Sequence, residues 1–143
     1  MRGVPKDQYT GAHVDWVYMG HGTSNLLTCW VPVGDIPVEM GTLAVCEGSH
    51  RLPEFARLRE TYGKMDWERD NLDGSGWFTD DPAEITQLFG GQWKTADFAA
   101  GDILLFGMAT VHMSTPNTTR QVRISADVRW QPAAEPVDPR YGE

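Results

Sequence analysis

A histidine and a carboxylate lie two positions apart in the segment at residues 10–15, TGAHVD. On a strand, residues two apart project from the same face, so His13 and Asp15 would hold an imidazole and a carboxylate side by side. A second histidine would complete the two-histidine, one-carboxylate set that binds iron(II) and leaves coordination positions open. His112 is the candidate because it follows a glycine-bounded apolar run, as a residue at a barrel mouth would. The pair alone is a weak signal, since such pairs also occur by chance.

An arginine, Arg123, follows His112 by eleven residues. An arginine on the inward face of a strand is costly to bury unpaired. Its planar fork is well suited to holding a carboxylate through two hydrogen bonds. Spacing alone leaves several alternatives open: a structural ion pair of Arg123 with Asp127 or Asp15, and a carboxylate grip by Arg120 or Arg129.

Short apolar runs separated by glycine-rich or proline-rich breaks predict the elements that must position these residues. β-Branched and aromatic residues predict strands at residues 11–18, 26–33, 42–46, 93–98, 103–106 and 121–130. Many short strands with glycine turns indicate a sandwich or barrel, that is, an all-β core of the jelly-roll type.

Two short helices interrupt the strand pattern. Residues 53–62 place apolar side chains on one side at helical spacing. Asp81 followed by Pro82 predicts an N-cap with proline at the first helical position, and Gly90 predicts the end of that helix. The acidic, glycine-containing stretch at residues 65–79 predicts a long loop, of the kind that often covers an active site.

The last predicted strand alternates between two kinds of side chain. One face is polar and would line the barrel interior: Arg123, Ser125, Asp127 and Arg129. The other is apolar and has no evident partner in the chain: Val122, Ile124, Ala126, Val128 and Trp130. Exposed apolar patches usually mark interfaces, so we expect a homodimer or higher oligomer.

Composition bounds the class of protein. The 143 residues suit one domain, and the net charge of −8 argues against extensive contact with nucleic acid. No apolar run approaches the roughly 20 residues that cross a bilayer, and no signal peptide is visible at the start. Cys29 and Cys46 lie in apolar runs and are interpreted as buried, reduced thiols. We therefore expect a cytoplasmic protein without a membrane partner.

Taken together, the motifs resemble the phytanoyl-CoA dioxygenase family of iron(II)- and 2-oxoglutarate-dependent oxygenases. The resemblance extends from about residue 10 to residue 132 and is carried by eight pieces of sequence: residues 10–15, 29–37, 41–43, 47–50, 101–106, 112–114, 117–118 and Arg123. Each piece alone is unspecific, and their combination is specific. The resemblance implies a double-stranded β-helix, the cupin-like jelly roll, with a few short helices.

The family resemblance also implies roles for individual residues. It implies His13, Asp15 and His112 as the iron ligands, and Arg123 and Ser114 as partners of the distal carboxylate of the co-substrate 2-oxoglutarate. Its spacing favours Arg123 over Arg120. Trp30 matches a family tryptophan near the co-substrate. The two remaining histidines are outside this set: His50 is interpreted as structuring a loop, and His21 as exposed to solvent.

The implied activity is hydroxylation of a small organic substrate by dioxygen, with 2-oxoglutarate decarboxylated to succinate and CO2. A carboxylate at Asp15 favours hydroxylation over halogenation, because related halogenases have a small residue there. One feature departs from the family: residues 1–143 are predicted to be a single jelly-roll domain without the usual N-terminal region. Two rival hypotheses remain: a catalytically incomplete binding module or pseudoenzyme, and a purely structural jelly roll or cupin-like metalloprotein with other chemistry, which a zinc-filled site indifferent to 2-oxoglutarate would favour.

Overall fold

A computed structural model describes residues 2–66, 68–70 and 76–142 of the chain. Within these ranges the short β-strands outnumber the helices. The strands are β1 (Arg2–Val4), β2 (Leu27–Pro32), β3 (Leu43–Cys46), β4 (Trp93–Lys94), β5 (Leu104–Gly107), β6 (His112–Ser114) and β7 (Arg123–Trp130). The α-helices are α1 (Trp16–Met19), α2 (Ala56–Glu60) and α3 (Pro82–Phe89), and 3-10 turns occur at Val38–Met40, Pro53–Phe55 and Tyr62–Lys64.

The strands form two antiparallel sheets. The first has the order β1-β7-β2-β5 and the second the order β4-β3-β6. The longest pairing joins β2 to β7, from Leu27 opposite Trp130 to Pro32 opposite Ser125. From β2 onward the chain crosses repeatedly between the sheets, so that strands adjacent in sequence are seldom paired. This crossing pattern is that of the predicted double-stranded β-helix, and the all-β core is confirmed.

The apolar core consists of two clusters on opposite faces of the second sheet. Leu43 of β3 points inward and packs with Trp30 and Phe106 of the first sheet. Ala44 of β3 and Met113 of β6 point to the other face, where residues of α1, α2 and α3 cover them. Because side chains alternate along a strand, the residues on either side of Met113 on β6 face the interior of the barrel. His112 and Ser114 therefore point into the space between the sheets.

The first sheet has no comparable cover from the described residues. Along β7, Arg123 is 2% exposed and Ser125 is fully buried, whereas Val128 is 41% and Trp130 63% exposed. The predicted alternation of the last strand is confirmed, with the polar side inward. Exposed apolar side chains continue across the outer face onto the neighbouring strands: Leu27 and Val33 at β2, and Ile103 and Leu105 at β5.

Helix α3 follows its predicted signals closely. The Asp81 side chain accepts a hydrogen bond from the Ala83 backbone N–H at 2.8 Å, as an N-cap does. Gly90 ends the helix with φ of 73°, a value that favours glycine. The predicted helix at residues 53–62 is shorter: a 3-10 turn precedes α2, and a second 3-10 turn follows it.

Two strand predictions need correction. The stretch at 11–18 is extended only through the bridge pairs of Ala12 and His13, and it then turns into α1. Trp16–Met19 is apolar throughout, so it lacks the alternation of a half-buried strand, and a helix buries Val17 in the core. The stretch at 93–98 forms only a two-residue strand. Beyond it, Thr95 donates to the Leu43 carbonyl through its side chain, the Asp97 side chain accepts from the Val38 N–H, and Phe98 forms an isolated backbone bridge with Ile36.

Several other expectations can be compared with the structure. Cys29 and Cys46 are buried free thiols, as predicted. Within the predicted loop at 65–79, residues 67 and 71–75 lie outside the described residues, and the described part ends by pairing Thr79 with Ala12. None of the helices in the described ranges is long and apolar enough to span a bilayer.

Candidate metal centre and its pocket

The three predicted ligand residues converge inside the barrel. One potential ligand atom from each of His13, Asp15 and His112 lies within 4.8 Å of the others. Two ligand atoms on opposite sides of one transition-metal ion lie roughly 4 Å apart, because each metal–ligand bond is about 2 Å long. The observed separation is close to that value. The exposed fractions are 8%, 3% and 4%, so the group is shielded from solvent. Two imidazoles and one carboxylate in this arrangement suit a divalent ion such as iron(II).

Backbone pairing brings the two histidines together across the sequence. His13 and His112 form an antiparallel bridge with reciprocal N–H to carbonyl bonds of 3.0 Å. Each ring also hydrogen-bonds through Nδ1 to the carbonyl two residues earlier, at 2.7 Å to Gly11 and 2.9 Å to Thr110. A neutral imidazole that donates through Nδ1 carries its lone pair on Nε2. The carbonyls therefore orient both rings as Nε2 ligands, a common outer arrangement at metal sites.

Asp15 is the most enclosed of the three candidate ligands. Thr28 on β2 donates a short hydrogen bond to its Oδ2, and Nη2 of Arg129 lies 3.5 Å from the same oxygen. Burial alone would raise the pKa of this carboxyl. Coulombic interactions with His112, Arg129 and His13, together with the Thr28 hydrogen bond, outweigh burial and lower this pKa below its ordinary value. The group is therefore held as a carboxylate, the form that binds metal.

A glycine two residues before the first candidate ligand allows the local packing. A Cβ placed on Gly11 would lie 2.6 Å from the Trp77 ring and 2.8 Å from the Thr79 carbonyl oxygen. The backbone at 11–12 can thus pair with Thr79 only because residue 11 has no side chain. The same close approach brings Trp77 to the edge of the metal-site cavity.

A cavity of about 430 Å³ adjoins the three ligands, and the co-substrate residues predicted from the sequence line it. Arg123 is 2% exposed, and its guanidinium donates to the Ser125 hydroxyl. The Arg123 Cζ lies 5.6 Å from the centre of the buried Trp30 ring, within cation–π distance. The Ser114 hydroxyl accepts a 2.6 Å hydrogen bond from the Thr10 N–H. The structure thus places Arg123, Ser114 and Trp30 in one cavity with the candidate ligands.

Two buried polar atoms in the cavity wall have no hydrogen-bond partner among the described residues. They are Oγ1 of Thr10 and Nε of Arg129. Burying such a group without a partner usually costs about 1–3 kcal/mol. A polar, anionic molecule that fills the cavity would supply hydrogen-bond partners for these two atoms and would form an ion pair with Arg123. The residues present therefore fit a dicarboxylate beside a metal ion.

The structure also distinguishes between the alternative arginines and shows where the other two histidines lie. Arg120 is exposed and is not among the residues that line the cavity, whereas Arg129 lines it next to Asp15. His50 is exposed and lies outside the cavity. His21 is exposed, as predicted, but its Nε2 also pairs with the Asp66 carboxylate at 2.7 Å.

Sequence reasoning missed several residues of the site. Thr28, which holds Asp15, sits in a strand that was predicted, and its inward position could have been found by counting from Trp30. Tyr18, Trp77 and Tyr141 also line the cavity, but no local motif marks them, whereas Thr10 lies in the 10–15 motif without having been assigned a role. They come from separate parts of the chain, and only the folded arrangement brings them together.

Comparisons with known proteins agree with this geometry. The chain is 26% identical over 129 residues to the 1-deoxypentalenic acid 11-beta-hydroxylase of Streptomyces exfoliatus, covering 87% of this chain and 42% of that protein. The structure resembles the alpha-ketoglutarate-dependent carbocyclase SnoK from nogalamycin biosynthesis, with a TM-score of 0.68 and 21% identity over 96% of this chain and 50% of SnoK. It also resembles the epimerase SnoN in complex with Fe3+, alpha-ketoglutarate and nogalamycin RO, with a TM-score of 0.63 and 26% identity.

These relatives are considerably longer than the chain. The 143 residues span about half the length of the structures that they match: 50% of SnoK and 50% of the SnoN complex. The model of the phytanoyl-CoA dioxygenase (PhyH) family matches residues 3–125, which include all three candidate ligands and Arg123. The chain therefore belongs to the phytanoyl-CoA dioxygenase family.

Proposed function

We propose that the protein is an iron(II)- and 2-oxoglutarate-dependent oxygenase that hydroxylates a small organic substrate. The observation that carries the proposal is the convergence of His13, Asp15 and His112 beside a cavity that the buried Arg123 also lines. A metal set and a buried cation in one cavity match the two ends of 2-oxoglutarate, a chelating keto acid and a distal carboxylate. Family membership and the hydroxylase relative support the same reaction class.

In this proposal each residue has a defined task. His13, Asp15 and His112 would hold the metal. Arg123 would bind the distal carboxylate of 2-oxoglutarate, with Ser114 donating a hydrogen bond. Bound iron(II) would supply the activation of dioxygen, coupled to decarboxylation of 2-oxoglutarate to succinate and CO2.

The supporting side chains keep this arrangement in one geometry. Thr28 restrains Asp15 through its hydrogen bond. The carbonyls of Gly11 and Thr110 fix the two imidazole rings. Trp30 packs beside the Arg123 guanidinium and excludes water from that end of the cavity. Preorganised polar groups in a site that excludes water favour substrate oxidation coupled to decarboxylation of 2-oxoglutarate over uncoupled decarboxylation.

The direct test is an anaerobic titration of the purified protein, first with iron(II) and then with 2-oxoglutarate. We expect the visible metal-to-ligand charge-transfer band of the chelate to appear, and we expect it to be lost in His13→Ala. Iron binding without the band would instead support a pseudoenzyme that retains the ligands but lacks the co-substrate site. A site that takes zinc and ignores 2-oxoglutarate would support the structural metalloprotein.

We also propose that two copies of the chain pack through the apolar outer face of the first sheet. Val128 and Trp130 on β7 and Leu105 on β5 are 41%, 63% and 53% exposed on this face. Identical flat apolar faces are self-complementary about a twofold axis, and packed sheets bury such faces against each other. The two buried free thiols favour a reducing, cytoplasmic location.

Sedimentation velocity at micromolar concentration tests this interface. We expect twice the mass of the chain for the wild-type protein and the mass of a single chain for Val128→Lys, because a buried unpaired charge opposes association. Leu88→Lys is the matched control, since Leu88 is 58% exposed but lies on α3, away from this face. A monomeric wild type at this concentration would contradict the proposed interface.

A further inference from the structure

The pocket changes character from its buried end to its open end. Arg123 and Ser114, at the proposed co-substrate end, are 2% and 1% exposed. Tyr18, Trp77 and Tyr141 line the same cavity. Tyr141 is 60% exposed, and the other two are half-buried. The cavity therefore combines enclosed, charged residues with three aromatic side chains, of which Tyr18 lies 5.5 Å from the His13 ring and Tyr141 is the most exposed.

One of these rings is brought to the pocket by residues 131–142, which we call the strap. After β7 the strap turns back and packs on the segment that follows α1. Glu135 accepts hydrogen bonds from the Thr23 hydroxyl and from the Asn25 amide, the latter at 2.9 Å. The Thr23 N–H donates to the Pro136 carbonyl at 2.9 Å. These contacts attach the first half of the strap next to the metal-binding segment.

Arg140 attaches the second half of the strap. Its guanidinium donates to the Tyr18 carbonyl at 2.7 Å, to the Asp66 carboxylate at 3.1 Å and to the Asp138 carboxylate at 2.8 Å. Asp66 and Asp138 are 4% and 6% exposed, so these ion pairs are shielded from solvent. The next residue, Tyr141, has its hydroxyl 3.5 Å from the same Tyr18 carbonyl. Arg140 thereby fixes the position of Tyr141 at the mouth of the pocket.

We propose that Tyr18, Trp77 and Tyr141 form a recognition site for a flat, ring-bearing substrate, with Tyr141 as a specificity-determining residue and Arg140 as its positioning residue. This inference rests on the proposed function, because it assigns the substrate side of the same pocket. Aromatic rings bind other rings through offset-stacked and edge-to-face contacts, which require a flat partner. A saturated molecule of the same carbon skeleton cannot make those contacts.

Two probes of matched size test this recognition directly. 2-Naphthol is flat, and 2-decalol has the same carbon skeleton fully saturated. Calorimetric titrations use the protein loaded anaerobically with iron(II) and 2-oxoglutarate, so that no turnover occurs. We expect wild-type protein to bind 2-naphthol more tightly than 2-decalol and Tyr141→Ala to weaken 2-naphthol by about 3- to 10-fold. Tyr141→Phe keeps the ring and should retain the preference.

The matched control is Val137→Ala, a truncation on the same strap at a residue that is 52% exposed and is not among those lining the cavity. It should leave 2-naphthol binding unchanged. Arg140→Gln distinguishes positioning from general stabilisation. It should weaken 2-naphthol when Tyr141 is present but add little in the Tyr141→Ala background, because coupled residues are not additive. An equal loss in both backgrounds would exclude the positioning role of Arg140.

The outcomes separate this inference from the proposed function. If the charge-transfer band forms but 2-naphthol binds no better than 2-decalol, or binds Tyr141→Ala as well as wild type, the recognition site is refuted and the oxygenase assignment stands. Absence of 2-naphthol binding to the wild type would refute it too. If the band never forms but the loss in Tyr141→Ala is observed, the ring site stands and the oxygenase assignment is refuted.

Discussion

Replacing His112 by alanine is expected to abolish iron-dependent formation of succinate from 2-oxoglutarate. The two remaining ligands cannot hold the ion in its geometry. Even the removal of an outer partner of a metal ligand typically costs about 10- to 100-fold, so we expect a loss of about 100-fold or more. The measurement is succinate release at saturating 2-oxoglutarate, together with iron content after gel filtration. Full turnover in this variant would contradict the ligand assignment.

Stability must be separated from metal binding in this experiment. The His112 ring packs against Phe106 at a centroid distance of 4.5 Å and against His13 at 4.2 Å, so its truncation also leaves a cavity. Asp15→Asn keeps the size of the side chain and serves as the second variant. At a free metal concentration 100 times the Kd, binding stabilises the native state by about 2.7 kcal/mol. That corresponds to roughly 10 °C in melting temperature for a domain of this size. Both variants should lose this shift, whereas His50→Ala, at an exposed histidine, should retain it.

Replacing Arg123 by alanine is expected to weaken 2-oxoglutarate binding by about 30- to 4000-fold while iron affinity changes little. Truncating one partner of a buried, hydrogen-bonded charge pair costs about 2–5 kcal/mol, and each 1.4 kcal/mol is a factor of ten. Arg123 is 2% exposed, so water could screen the orphaned carboxylate only poorly. The measurement is a titration of the charge-transfer band with 2-oxoglutarate at fixed iron(II).

Two further arginine variants sharpen this result. Arg123→Lys keeps the charge but loses the planar fork, so its affinity should lie between those of wild type and alanine. Arg120→Ala is the matched control, because Arg120 is only three residues away and is exposed. If 2-oxoglutarate bound Arg123→Ala as tightly as wild type, the carboxylate partner would have to be Arg129, which also lines the cavity.

Much of this fold could be predicted because local signals and burial coincide. Asp81, Pro82 and Gly90 mark the ends of α3 through backbone chemistry that acts within a few residues. The alternation along β7 spans eight residues, enough to separate a polar inner face from an apolar outer one. Both patterns are properties of short segments, so they are legible without the rest of the molecule.

The elements that could not be predicted are those that depend on distant partners. β6 has only three residues, too few to show a period, and it becomes a strand by pairing with β3. α1 is apolar at every position, so its helical form is decided by the burial of Val17 in the core. In the site, Tyr141 reaches the pocket through Arg140 contacts that cross more than a hundred residues of sequence.

The position of the three ligands along the chain has a consequence for the order of folding events. Asp15 and His112 are 97 residues apart (112 − 15 = 97), and His13 and His112 meet through a backbone bridge. Contacts between such distant segments require a large loop to close, so we expect the site to be completed late in folding. A bound ion would then stabilise the native state much more than the transition state. Metal would act chiefly by slowing the unfolding rate, with little effect on how fast the chain folds.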